Sequence, residues 1–302
     1  GNFPSGEKFM DFLLTQQSIS YPRLYLSAGV TSARTTGSIQ PYADLGIKKA
    51  IDTGDLVGPD FDLTAPFLAT NYDSLFFINS IDNANEARKA VQFWASQGFT
   101  SMKALGPLND EARAAAIDET HKLGLRISSE YGSKVSASLK SVEFGAKLLE
   151  HMLPYIDEQG NSLSPNDKTT QDAMQHFIDN KVAVSMTVAQ WDDKRKPNEV
   201  LDLLTGYSRK EYERTPLGSF AGHSAYEDGN MLKTQQKLAL KFWRMGGMMS
   251  LGTDPAVQGN IAGYANLRSI ELMTDSGIPN LDVIKMATLN GAKVIGIEKD
   301  RG

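Results

Sequence analysis

Four side chains suited to acid–base or metal chemistry each close a short apolar run. They are Lys103 after Ser101-Met102, Glu130 after Ile127-Ser128-Ser129, His151 after Leu148-Leu149-Glu150, and Asp254 after Leu251-Gly252-Thr253. Asp254 has the chemistry of a general base or a metal ligand. Glu130 could be an acid, a ligand or the partner of a neighbouring lysine. Taken singly, each has a plain structural reading as well. Asp254 could cap the next helix, Lys103 could snorkel along a rim, and His151 could be a hydrogen-bonded rim residue. The joint pattern says more. In a parallel α/β fold the carboxyl ends of the strands face one crevice, so four such residues on four strand ends would share one mouth.

The elements that must position them follow from periodicity. Asn85–Gln97 has amphipathic helical spacing (Ala87, Val91, Trp94, Ala95) and ends at Gly98. The same alternation continues with strand 100–105, helix 110–123, strand 125–130, helix 135–144 and strand 147–150. It then runs through helix 169–180, strand 182–188, helix 232–245 and the strand ending in Gly252-Thr253-Asp254. Earlier, 29–34 and 61–64 read as strands flanking a helix near 43–52, with a helix at 7–19 before them. Helices at 265–276 and 281–291 close the chain. This β–α alternation repeats at about thirty residues, the length of a βα unit, and predicts a (β/α)₈ barrel, a TIM-type α/β fold, rather than an open sheet. Seven strands are legible. The eighth is not.

The bulk composition narrows the function. A chain of 302 residues with 41% apolar content suits one large barrel, and no apolar run is long enough to span a bilayer. The net charge of −5 is spread without a basic stripe, so neither a nucleic-acid nor a membrane partner is expected. With no cysteines, disulfides, thiolate metal sites and a cysteine nucleophile are excluded. Residues 1–6 carry no signal-peptide pattern, and the compartment is left open between cytoplasmic and periplasmic or secreted. His121 and His176 fall within helices and are expected on the exterior. His223 lies in the long polar stretch 192–230, where loops over a barrel mouth often contact substrate. Trp191 and the run Asp192-Asp193-Lys194-Arg195-Lys196 read as the solvated start of that loop.

On these motifs the chain resembles the amidohydrolase superfamily, specifically its imidazolonepropionase-like and prolidase-like metal-dependent hydrolases. "LSAGVTSART" (26–35) is similar to the family's second strand, "EARKAVQFWASQGFTSMKAL" (86–105) to its fourth, "DETHKLGLRISSEYG" (118–132) to its fifth and "GAKLLEHM" (145–152) to its sixth. "LGTDPAVQGNIAGYANLRSIELMTDSGIPNLDVIKMATLNGAKVIGI" (251–297) resembles the eighth strand and the helices after it. The resemblance implies that Lys103 is a carbamylated lysine bridging two divalent metals, zinc foremost, and that His151 ligates the second metal. It implies that Asp254 ligates the first, orients the bridging hydroxide and shuttles its proton to the leaving amine. Tyr131 matches a tyrosine that touches a substrate carboxylate in peptidase-like members.

The departures are as informative. The family's first-strand His-x-His is absent, as are the segments of its small β-sandwich, so a single barrel domain over 1–302 is expected, incomplete at the first strand. Such a chain should leave unpaired edges near Gly29–Arg34 and Met248–Thr253, and be unstable or inactive alone. In the fifth-strand motif, usually His-x-Tyr-Gly, the chain reads Ser129-Glu130-Tyr131-Gly132, so Ser129 stands where a histidine ligand belongs. Either Glu130 turns inward as an oxygen ligand, or the second metal site is weak; an oxygen-rich site would favour harder ions than zinc. The expected activity is metal-dependent hydrolysis of a C–N bond in a dipeptide, an acylated amino acid or a cyclic amide. One or two ions would be bound, and a homo-oligomer is compatible with the sequence. The alternative is a catalytically impaired barrel with a binding or scaffold role.

Overall fold

The computed structural model describes residues 19–71, 79–192, 198–202, 206, 209–210, 231–255 and 260–302. His223, the run Asp193–Lys196 and, but for Ile19, the helix expected at 7–19 lie outside them. From Ala84 to Leu251 the described helices and strands alternate in the predicted order, whereas the short strands Leu68–Ala69 and Asn79–Ser80 were not foreseen among the seven read from the sequence. The strands are β1 (Ser32–Arg34), β2 (Asp60–Asp62), β3 (Leu68–Ala69), β4 (Asn79–Ser80), β5 (Ser101–Ala104), β6 (Arg126–Ser129), β7 (Leu148–His151), β8 (Ala183–Met186) and β9 (Met248–Leu251). All pairings are parallel, and β4-β3-β5-β6-β7-β8-β9 form one sheet. β1 pairs with β2, and a parallel bridge from Thr64 to Ser101 carries that pair onto the flank of β5. The main helices are α1 (Ser20–Ser27), α2 (Pro41–Asp52), α3 (Ala84–Ser96), α4 (Asp110–Lys122), α5 (Val135–Glu143), α6 (Lys168–Asp179), α7 (Asn198–Leu201), α8 (Met231–Arg244) and α9 (Tyr264–Asp275). This is the α/β barrel architecture expected. Among the described residues, no ladder joins β9 to β1.

Local chemistry explains why the helices begin and end where they do. Asn109 caps α4 by accepting from the Ala112 N–H at 2.9 Å, and Asn83 does the same for α3 from Glu86 at 3.0 Å. Asp110 and Glu111 in the first turn of α4, and His121 and Lys122 in its last, complement the helix dipole. Two apolar layers lie between sheet and helices. One packs Met102, Ala104 and Ile127 against Val91, Trp94 and Ile117; the other packs Val184, Met186 and Met249 against Phe177, Leu238 and Phe242. Phe177 and Phe242 meet edge to face with centroids 6.5 Å apart, worth about 0.5–1.5 kcal/mol beyond their area.

Two sequence expectations need correction. Trp191 and Asp192 do not start a solvated loop. Val188–Trp191 is a 3₁₀ turn continuing from β8, Trp191 is buried, and the Asp192 carboxylate accepts from Arg268 Nε at 2.8 Å. The guanidinium on α9 supplies the counter-charge that lets this aspartate go inside. The last helix is also not continuous: Asn280–Lys285 (α10) passes into a π turn at Met286–Asn290 before Gly291–Ile295 (α11). Asn290 uses that turn to donate its side-chain amide to the Met249 carbonyl of β9 at 2.8 Å.

The seam between β9 and β1 opens into a cavity of about 600 Å³ lined by Tyr25, Arg34, Thr187, Asp254, Asn266 and Ile295, among others. It lies beside the two segments where unpaired edges were expected.

Candidate active site

Lys103, the penultimate residue of β5, is only 3% exposed. It is no snorkelling rim lysine. Its amine donates to Glu130 Oε2 at 2.8 Å and lies 3.1 Å from His151 Nε2, while the Phe67 ring covers it at 5.1 Å. That ring packs so tightly on Gly37 that a Cβ there would meet Phe67 Cε1 at 2.1 Å. Burial alone would lower the Lys103 pKa, but Glu130, Glu150 and Asp254 outweigh it and raise it.

Glu130 follows the last residue of β6 and turns into the mouth, with Oε2 3.1 Å from His151 Nε2. Burial pushes its carboxyl up, but Lys103 and His151 beside it hold it well below the usual carboxylate range. Its neighbour Ser129 turns the other way. Fully buried, it accepts from Arg113 Nη1 of α4 at 2.7 Å. Strand alternation sends consecutive side chains to opposite faces, and here Glu130 is the one that faces inward.

His151 closes β7 with φ +71°, and Asp254 follows β9 with φ +47°. Left-handed backbone is uncommon outside glycine, and such strain gathers at functional sites. For His151 it has a visible result. Glu150, one residue earlier, also points inward and pairs with Arg34 Nη2 of β1, so alternation alone would have sent His151 outward. The ring is held by the Thr187 hydroxyl 3.3 Å from Nδ1, with Asp254 Oδ2 4.0 Å from the same nitrogen. Burial and Lys103 lower the His151 pKa, while Glu130 and Asp254 raise it, with a net upward shift. Glu150 is held down to about 2: burial opposes this, and Arg34 and Lys103 prevail.

The structure thus brings Lys103, Glu130, His151 and Asp254 to one mouth. Tyr131, the next residue after Glu130, is half-buried, its ring 3.8 Å from the Arg113 guanidinium carbon. Burial pushes its hydroxyl up to about 12. Thr187 and Arg34, the ends of strands expected to reach the same mouth, are found there as well. Phe67, Glu150 and Arg113 also shape the site and were not anticipated. Glu150 was legible as a charge inside an apolar strand; the other two carry no signal in one sequence.

These features define an α/β-barrel protein with a charged mouth at the carboxyl ends of its strands. The chain belongs to the amidohydrolase family, whose model matches residues 25–302. No curated protein matches it. Among solved structures it is similar to a Xaa-Pro dipeptidase with bound methionine, at 16% identity and a TM-score of 0.69, covering 100% of this chain and 72% of that one. It is similar to the A. niger ochratoxinase (17% identity, TM-score 0.64, 98% and 68% covered) and to the bottromycin amidohydrolase (17%, 0.69, 92% and 64%). At these identities the likeness is one of fold.

The family is typically metal-dependent, and the donor set here can be tested for fit. Glu130 Oε2 and His151 Nε2 are 3.1 Å apart, in direct contact, and are an oxygen and a nitrogen donor of the kinds divalent ions take. Asp254 lies across the imidazole on the Nδ1 side, and among the described residues no three His, Cys, Asp or Glu side chains converge to hold an ion. Glu130 and His151, with Lys103 beside them, are the donors that would take part in holding an ion, and they do not by themselves complete a ligand set.

Proposed function

We propose that this chain carries the hydrolytic centre of a metal-dependent amidohydrolase that cleaves a C–N bond in a dipeptide, an acylated amino acid or a cyclic amide. The observation that carries this reading is the meeting of Lys103, Glu130 and His151 within 3.1 Å, on three different strand ends, with Asp254 opposite. A dipeptidase and an amidohydrolase among the similar structures support the bond class.

In this reading Glu130 and His151 would hold one divalent ion, zinc or a harder ion, and the neutral Lys103 amine, adding CO₂ and releasing a proton, would become a carbamate whose oxygens join them. When bound, the ion would polarise the scissile carbonyl and lower the pKa of water. Thr187 fixes the imidazole through Nδ1, leaving Nε2 towards Glu130 and Lys103, as an outer partner of a metal-binding histidine does. Asp254 takes the proton of the attacking water and returns it to the leaving nitrogen. His223 is the residue assigned to substrate contact, whereas Tyr131, its hydroxyl buried and its ring stacked on Arg113, would reach a substrate carboxylate only by leaving that stack.

The test is hydrolysis of a panel of dipeptides, N-acyl amino acids and cyclic amides by the protein supplied with zinc, manganese or cobalt. Metal-dependent turnover is expected, with Asp254→Asn slower by about a hundredfold or more, the range for loss of a positioned proton carrier. Lys103→Ala should lose metal retention and turnover together. Full activity in that variant with unchanged metal content would remove Lys103 from the mechanism. One observation favours a barrel that binds without turnover: the Lys103 ammonium is already neutralised by Glu130 at 2.8 Å. That reading predicts no metal uptake and no turnover on any member of the panel.

A further inference from the structure

The strand ends that carry Lys103 and Glu130 are tied together from behind by a residue outside the mouth. Arg113, in the first turn of α4, has no exposure at all. Its Nη1 donates to the Ala104 carbonyl at 3.3 Å and to Ser129 Oγ at 2.7 Å. Its Nη2 donates to the carbonyls of Leu105, Gly106 and Leu108 at 2.6, 3.0 and 3.2 Å. The face of the guanidinium lies on the Tyr131 ring.

The placement of these bonds matters more than their number. The β5–β6 ladder runs out at Glu130 N→Ala104 O, 2.9 Å. Beyond it the chain after β5 turns towards α4, where Leu108 N–H donates to the Leu105 carbonyl at 3.1 Å and Arg113 adds a second donor there and one each to the Gly106 and Leu108 carbonyls. Arg113 does so with a planar, rigid fork that lysine cannot reproduce. One of its acceptors, Ala104 O, follows Lys103 directly, and Ser129 directly precedes Glu130. Tyr131, which directly follows Glu130, stacks on the fork. Every residue bordering Glu130 is therefore held by the same side chain.

We propose that Arg113 is a positioning residue that sets the end of β5 against the end of β6 so that Lys103 meets Glu130, and that Ser129 is its acceptor rather than an emptied ligand position. A histidine at 129 would point into the layer Arg113 occupies, so Ser129→His would break the clamp without adding a donor to the mouth. The consequence for catalysis rests on the hydrolase reading, but the positioning itself does not.

The experiment therefore reads Lys103 directly. Competitive acetylation of the metal-free protein, followed by mass spectrometry, gives the reactivity of each lysine. In Arg113→Met the Lys103 rate should rise about tenfold, equivalent to about 1.4 kcal/mol of lost local protection, with exposed Lys122 and Lys168 unchanged. Ile117→Val, a buried truncation in the same α4 layer, is the control for general loosening, with both variants compared at equal distance below their melting temperatures. Arg113→Lys and Ser129→Ala give smaller rises of the same kind should Arg113→Met not fold. Ser129→His should raise Lys103 reactivity and bind no more zinc than the parent. Equal Lys103 reactivity in the Arg113 variants and Ile117→Val would overturn the proposal, as would a gain of bound zinc in Ser129→His. Loss of turnover with unchanged Lys103 reactivity would count against the positioning role and leave the hydrolase reading standing.

Discussion

From β5 to β8 each strand is laddered on both sides, whereas β9 and β1 each pair on one side only among the described residues, with a cavity of about 600 Å³ between them. The difference separates what positions the site from what encloses it. Lys103, Glu130 and His151 sit on the continuously paired arc, and their mutual distances of 2.8–3.1 Å are set by adjacent ladders. Asp254 sits at the arc's last strand, where the seam begins, and is the farthest of the four from His151 at 4.0 Å. The arc fixes the donors, and the seam borders the side from which Asp254 reaches them.

A buried charged contact spans the two regions. Arg34 of β1 pairs with Glu150 of β7, whose side chain has no exposure. Arg34→Met would strand that carboxylate in the interior, and removing one partner of a buried pair costs about 3–5 kcal/mol. The loss should appear as a fall in the denaturant midpoint with little change in its slope. A loss below about 1 kcal/mol, the range of exposed pairs, would mean that water already reaches Glu150 through the seam.

A gentler measurement sharpens the same contrast. Amide exchange at Ala183–Met186, bonded on both sides, should be slower than at Ser32–Arg34 by at least about a hundredfold, because edge segments open locally while central strands open only with the whole fold. Equal protection would show that the seam is closed in solution.

Much of this was readable in advance. The alternation of helix and strand, glycine after helices and the charged residue closing each apolar run were enough to place Lys103, Glu130, His151 and Asp254 around one mouth. What stayed hidden depends on three-dimensional partners. Period-two alternation cannot predict that Glu150 and His151 both face inward, because the left-handed turn at His151 is invisible in residue type. Asp192 looked solvated beside other charges, since its partner Arg268 is far along the chain. Ser129 looked like a missing ligand because a motif gives position but not which way a side chain points. Only the bond from Arg113 shows that it faces the helix layer.

The central proposal is that Glu130 and His151 are two of the ligands of a cation site beside Lys103. The most direct test counts metal after equilibrium dialysis against zinc, in the parent protein and in Glu130→Gln and His151→Ala. The account predicts about one ion per chain in the parent, and affinity lower by at least about a hundredfold in each variant, as expected when a ligand rather than an outer partner is removed. No bound ion in the parent, or the same affinity in all three proteins, would contradict it.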